Sequence, residues 1–183
     1  VNGFPQVGGP PIAYLKFDEL PGATLATDSV RNNNAVVPSS GVTFGGGGIS
    51  GNALQLDGST NSFLNLGRNV LTGGDFAVAL WVRLPAGSTT PAAAWERLEL
   101  IPTGVLGASL YMNNSPATRG RPTARVIAAT NLLSAPTTAQ FGSGNGNLND
   151  GSWHHVVVTH SSSNSSLLVY IDGILDGSNT SSS

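Results

Sequence analysis

Apolar and polar residues alternate along much of this chain, and the alternation is sharpest between Asp150 and Gly177. There a β-branched and aromatic run, Trp153 to His160, is followed by a turn-forming cluster, Ser161 to Ser166, and by a second run, Leu167 to Ile171. Asp172-Gly173 then separates Val169-Tyr170-Ile171 from Ile174-Leu175. A two-residue Asp-Gly link predicts a type I′ hairpin, because both of its central positions need positive φ. The segment therefore predicts strand, loop, strand, tight turn and strand.

The same period of two runs from Ile12, where Ala13, Leu15 and Phe17 alternate with Tyr14, Lys16 and Asp18, and it predicts a half-buried first strand. Short strands are predicted at Ala35 to Val37, Val42 to Phe44, Ala53 to Leu56 and Phe63 to Leu66, with Gly45 to Gly48 as a loop or bulge. Phe76, Val78, Leu80, Val82 and Leu84 share one face of a further strand and Ala77, Ala79, Trp81 and Arg83 the other. Both faces are moderately apolar, which predicts a central strand. Leu98 to Ile101, Ala108 to Met112 and Arg125 to Ala129 carry weaker strand signals, and a helical turn stays open over Ala92 to Leu100. Residues 1 to 11, with three prolines and three glycines, read as a linker into one domain spanning 12 to 183. Many short strands without a long helical period predict an all-β, two-sheet antiparallel sandwich of jelly-roll type.

The segment D-G-S-W-H-H-V, a polar loop and L-L-V-Y-I-D-G resembles the signature of laminin G-like domains of the concanavalin A-like lectin/glucanase superfamily. Upstream, Ala13 to Glu19, Asp28-Ser29 with Asn32 to Asn34, Gly51 to Gly58 and Phe76 to Val82 resemble further motifs of that family in order. The resemblance covers 12–84 and 148–177, whereas the Pro, Ala, Thr and Gly-rich stretch 85–147 departs from it. It implies a laminin G-like jelly roll. It also implies closing strands beyond the Asp-Gly hairpin, so the domain is expected to be incomplete at its C-terminus, either as a fragment of a longer polypeptide or with another segment or chain supplying the missing strands.

Charge narrows the partners. Only 10% of residues are charged and the formal net charge is −2, so no basic stripe exists to neutralise phosphates, and neither nucleic acid nor a membrane surface is an expected partner. No apolar run reaches the roughly 20 residues of a membrane helix. Cysteine is absent, which excludes disulfides, thiolate catalysis and cysteine-ligated metals. Asn113, Asn164 and Asn179 each satisfy the N-glycosylation pattern, in keeping with a secreted or cell-surface protein, although chance matches are common in a chain this rich in Asn and Ser.

Four kinds of chemistry are open to the polar residues. His154, His155 and His160 crowd one strand, but His154 and His160 lie ~20 Å apart along it, and a zinc site lacks its remaining ligands. Glycoside hydrolysis needs two facing carboxylates, and Glu19, Glu96 and Glu99 show no E-x-D-x-E arrangement, so no catalytic residue is assigned. Calcium takes oxygen ligands, and the resemblance points to Asp28, near Asn32 to Asn34, and Asp57; Asp and Asn also cap turns without any metal. Asp18 and Asp172 are weaker candidates, the latter already accounted for by its hairpin. A sugar-binding surface needs an aromatic ring face with polar groups beside it, which selects Trp81 with Arg83 against the alternative that Trp81 is covered and merely packs. Trp95 and Tyr111 are further aromatics without a visible point of convergence.

The expectation is a non-catalytic extracellular adhesion or structural module that binds glycan or extracellular protein partners within a larger surface assembly. A carbohydrate-binding module of a glucanase-type glycoside hydrolase, or its catalytic domain, is the alternative. A building block of a filament or virion, its open edge completed by a neighbour's strand at Ile12 to Phe17, is a third.

Overall fold

The computed structural model describes residues 10–60, 62–66, 75–89, 92–101, 104–112, 120–128, 131–136 and 148–180. Among them lie twelve strands and no helix, so none is long and apolar enough to cross a membrane. The chain divides into two compact units, one from residue 8 to 72 and one built mainly from residue 73 onward. The linker expected at 1–11 falls almost entirely outside the described residues.

In the first unit the strands are short. Strand β1 (Leu25–Ala26) pairs with β2 (Ala35–Val36), and β3 (Val42–Gly45) pairs with β4 (Ala53–Leu56), all antiparallel. Ala26, Ala35 and Phe44 form its buried centre, with Leu15, Phe17, Leu54, Leu64 and Leu66 packed around them. The strands expected over Ile12 to Phe17 and Phe63 to Leu66 reduce to single bridges, Leu15 with Asp28 and Asn65 with Val36. At the first, Phe17 takes φ 61°, a left-handed conformation that cannot continue an extended ladder. Alternation marked which side chains face inward but did not supply a pairing partner.

The second unit is a sandwich. One sheet runs β12–β11–β10–β5, from β12 (Ile174–Thr180), β11 (Ser166–Ile171), β10 (His154–Ser161) and β5 (Phe76–Val82). The other is the meander β6 (Ala92–Ile101), β7 (Gly104–Met112), β8 (Pro122–Ala128) and β9 (Asn131–Pro136). Every pairing in both is antiparallel. Between β5 and β10 the chain leaves the first sheet, builds the second and returns. The apolar faces meet in one core, in which Leu110, Met112 and Ala124 from β7 and β8 pack with Val156, Val158, Leu167, Val169 and Ile171 from β10 and β11. That interdigitation of two inner faces is what an antiparallel sandwich requires.

Local chemistry explains the boundaries. Asp172 and Gly173 both have positive φ, 49° and 84°, as the Asp-Gly hairpin demands. In β5 burial alternates residue by residue, with Phe76, Val78, Leu80 and Val82 on the more buried face. Its position differs from expectation: β5 stands at the end of its sheet among the described strands, not in the centre. Small residues explain the misreading, because Ala77 and Ala79 make the outward face look apolar although, among the described residues, no strand covers it. Ala92 to Leu100 is strand rather than helix, its helix formers overridden by a full ladder to β7.

Candidate functional site

The outward face of the β10–β5 pair gathers the candidate side chains. Because the two strands run antiparallel, His155 stands opposite Trp81, and one step beyond the last registered pair, His154 with Val82, the same register sets Trp153 opposite Arg83. Alternation turns all four away from the core that Val156, Val158 and Leu80 enter. The Trp81 and His155 rings lie 5.0 Å apart, tilted by 37°. Arg83 places its guanidinium over the Trp153 ring, 5.0 Å from the centroid. Trp81 is 48% exposed, so a tryptophan buried under a loop is not what occupies this position. A cation over an aromatic face, stabilised by the ring quadrupole, fixes both partners while leaving ring edges and donors open. The patch can offer an indole for ring stacking and an imidazole and a guanidinium for hydrogen bonds.

Sequence alone did not select Trp153 or His155 for a sugar-binding surface, and the structure sets them beside Trp81 and Arg83. The signal was present but not local, since it required pairing two strands separated by roughly seventy residues. Trp95 cannot be added, because its side chain lies outside the described residues, as does Glu99's.

Behind this face, at the same end of β10, His154 is buried between two carboxylates. Its Nδ1 lies 2.9 Å from Asp172 Oδ2 and its Nε2 3.1 Å from Asp150 Oδ1. Asp172 also accepts the His155 N–H at 2.8 Å and donates its own N–H to the His155 carbonyl, while Asp150 accepts the Ser152 N–H at 2.7 Å. Burial pushes the His154 pKa down, but the hydrogen bonds to Asp172 and Asp150 outweigh it and leave the net value raised. Asp150 is held below the usual carboxylate range, chiefly by the Ser152 N–H. The histidine was expected to lack a nearby carboxylate, and it has two. Since both ring nitrogens are engaged, this arrangement pins the Asp172 hairpin and the Asp150 turn to β10 rather than presenting a ligand to a metal. Among the described residues no group of three or more His, Asp or Glu side chains is arranged to hold a metal ion.

Asp28 and Asp57 lie in the first unit and share no partner. Asp28 is fully buried, and its two oxygens accept four backbone N–H groups: Tyr14 at 2.8 Å and Val30 at 3.0 Å on Oδ1, Arg31 and Asn33 at 3.2 Å on Oδ2. The Tyr14 N–H, first among these, lowers its pKa against the opposing effect of burial. Asn34 Oδ1 accepts the Asp28 N–H, so Asn34 braces the turn. A carboxylate saturated by amides works as a turn anchor, and a cation at Asp28 would have to displace those donors. Asp57 is exposed and accepts the Ser59 N–H at 2.8 Å, which depresses its pKa. Asp18 accepts the Asn52 N–H, and a Cβ on Gly51 would meet its Oδ1 at 2.3 Å, so glycine is required at that approach.

Of the three glycosylation positions, Asn164 is exposed in the β10–β11 loop, where its Oδ1 accepts the Ser166 N–H. Asn179 lies within β12, and Asn113 falls outside the described residues.

A family model, Laminin_G_3, described as the concanavalin A-like lectin/glucanases superfamily, matches residues 57–183. That span takes in the whole sandwich, the Trp81 face and the His154 clasp. No curated protein and no solved structure matches the chain.

Proposed function

The chain belongs to the concanavalin A-like lectin/glucanases superfamily, and from that premise we propose that it is a non-catalytic adhesion module that contacts glycans through the Trp81, Arg83, Trp153 and His155 face. Membership makes it a lectin-like binding domain in general terms. The observation that supports the finer reading is the half-exposed Trp81 indole set beside His155, next to an Arg83–Trp153 pair. Saccharide rings stack on aromatic faces through their C–H groups, and their hydroxyls need fixed donors and acceptors at the rim. This face supplies both from two paired strands, with Trp81 on β5 and His155 on β10 and with Arg83 and Trp153 one residue beyond their ends.

An extracellular or cell-surface setting agrees with the reading, with the exposed Asn164 as an acceptor for N-glycans. Calcium enters only as a rim ion at the exposed Asp57, and melting the protein with and without calcium checks it. A glycan array probed with the whole chain, together with pull-down from its native surface extract, tests the function. Array binding lost in Trp81→Ala supports it; capture of a protein with a blank array replaces glycan by a protein partner; two blanks reject it.

A further inference from the structure

We propose that His154 and Asp150 form a proton-operated latch: residues 150–153 are held to the sandwich while the His154 ring carries two protons, and swing free, drawing Trp153 from under Arg83, when it loses one. The geometry supplies the parts. His154 is only 5% exposed, and each ring nitrogen faces an acceptor, Asp172 Oδ2 at 2.9 Å and Asp150 Oδ1 at 3.1 Å. A carboxylate accepts and does not donate, so two such contacts need an N–H on both nitrogens, which only the imidazolium has. A neutral ring keeps one N–H and turns a lone pair on the other carboxylate, a costly contact in a buried site.

The fastening of the neighbouring segments decides which contact fails. Asp172 is held independently of the ring: its Oδ1 accepts the His155 N–H and its own N–H donates to the His155 carbonyl, both at 2.8 Å. The other bond of Asp150, from the Ser152 N–H at 2.7 Å, lies inside the arm 150–153 and moves with it. Upstream, Leu148 donates to the Gly120 carbonyl, while Asn149 accepts the Gly87 N–H and donates its Nδ2 to the Ser88 carbonyl. Downstream, the ladder of β10 begins at His154. Among the described residues no backbone hydrogen bond ties 150–153 to another segment, which leaves the arm to the Asp150–His154 contact and the Arg83 guanidinium over the Trp153 ring.

The groups that act on the His154 charge are Asp172 of the hairpin and Asp150 of the turn, opposed by burial, and together they favour the protonated ring. Its register partner on β5, Val82, carries no charge, and Arg83 and His155 are turned to the outward face. The latch is therefore closed at and below pH 6.5 and opens as pH rises through the folded pKa. Trp153 belongs to the candidate face, so the latch makes that face responsive to pH; this consequence, unlike the latch, rests on reading the face as a binding site.

NMR of the full chain without ligand, followed from about pH 5 to about pH 9.5, tests the latch. The His154 ring is expected to titrate. The Trp153 amide and indole N–H should move on the same curve and the Arg83 side-chain protons should lose the ring-current shift of Trp153, while the Asp172 amide keeps its protection from exchange. Asp150→Asn is the decisive variant, because an amide accepts from an N–H through Oδ1 and donates to a lone pair through Nδ2, and so holds the ring in either state. In that protein the ring should still titrate with the Trp153 and Arg83 signals fixed at their closed positions; His155 is followed through its own ring. A His154 ring that does not titrate in this range, Trp153 and Arg83 signals that ignore its titration, or signals that still follow it in Asp150→Asn overturn the latch. Because the readout needs no ligand, a blank glycan array rejects the Trp81 face and leaves the latch standing. Where an array glycan binds, its affinity should fall about fivefold or more on opening and hold steady in Asp150→Asn, and equal affinity in both states rejects the coupling to the face.

Discussion

The two units are held together by different means. In the sandwich, long ladders carry the backbone hydrogen bonds and two apolar faces close on each other, so that side chains such as Leu110 and Leu167 are wholly buried. In the unit from 8 to 72 the strands are two to four residues long. There one carboxylate, Asp28, collects four amides that a longer ladder would otherwise have paired. The contrast shows how a chain with little charge uses several of its acids: the buried Asp28, and Asp150 and Asp172 beside His154, anchor turns, apart from the aromatic, imidazole and guanidinium groups of the proposed binding face.

The largest expected break in this comparison is in the sandwich core, where Leu110→Ala should cost about 3 kcal/mol by removing a fully buried side chain and leaving a cavity, measured by urea unfolding. Asp28→Ala should come next, lowering the melting temperature by about 5–10 °C as four amides lose their acceptor. Asp28→Asn should recover only part of the loss, since an amide presents one acceptor oxygen.

Smaller effects follow pH, with opposite signs in the two units. His154 has a folded pKa raised above its ordinary 6.5, so its contribution is complete below that value and is lost as pH rises through the folded pKa. Asp28 has a folded pKa below its ordinary 3.8, so its contribution is present above that value and is lost as pH falls through the folded pKa. Melting followed across pH should therefore show a decline beginning just above pH 6.5, well below the range in which Tyr111 titrates, that His154→Leu abolishes, and an acid decline that it leaves in place. A His154→Leu protein that keeps the decline just above pH 6.5 would contradict the clasp. At the lower end of the scale, Trp81→Ala and Arg83→Ala should each change stability by less than about 0.5 kcal/mol, because both side chains face outward.

The same contrast explains what the sequence disclosed. Hairpin chemistry is local, so Asp172-Gly173 and the strands flanking it were legible residue by residue, and β-branched runs marked β10 and β11. Strand β9, Asn-Leu-Leu-Ser-Ala-Pro, carries no β-branched residue and ends on proline, and it escaped notice. Over Ile12 to Phe17 the alternation was real, but strand length depends on a partner ladder and on the φ of Phe17, neither of which a pattern encodes. Of the proposed binding face, Trp81 and Arg83 could be chosen because they alternate outward along one segment. Trp153 and His155 join them only through cross-strand register. The Asp150 and Asp172 partners of His154 likewise come from a turn and a hairpin that meet only after folding.

The central claim, that the sandwich binds glycan through its aromatic face, is tested most directly by following the indole N–H resonances of Trp81 and Trp153 while the whole chain is titrated with the glycan that binds best on an array. Both resonances should move together and saturate on one binding curve, and Trp81→Ala should abolish saturation. A glycan that binds while both indoles stay fixed would contradict the account.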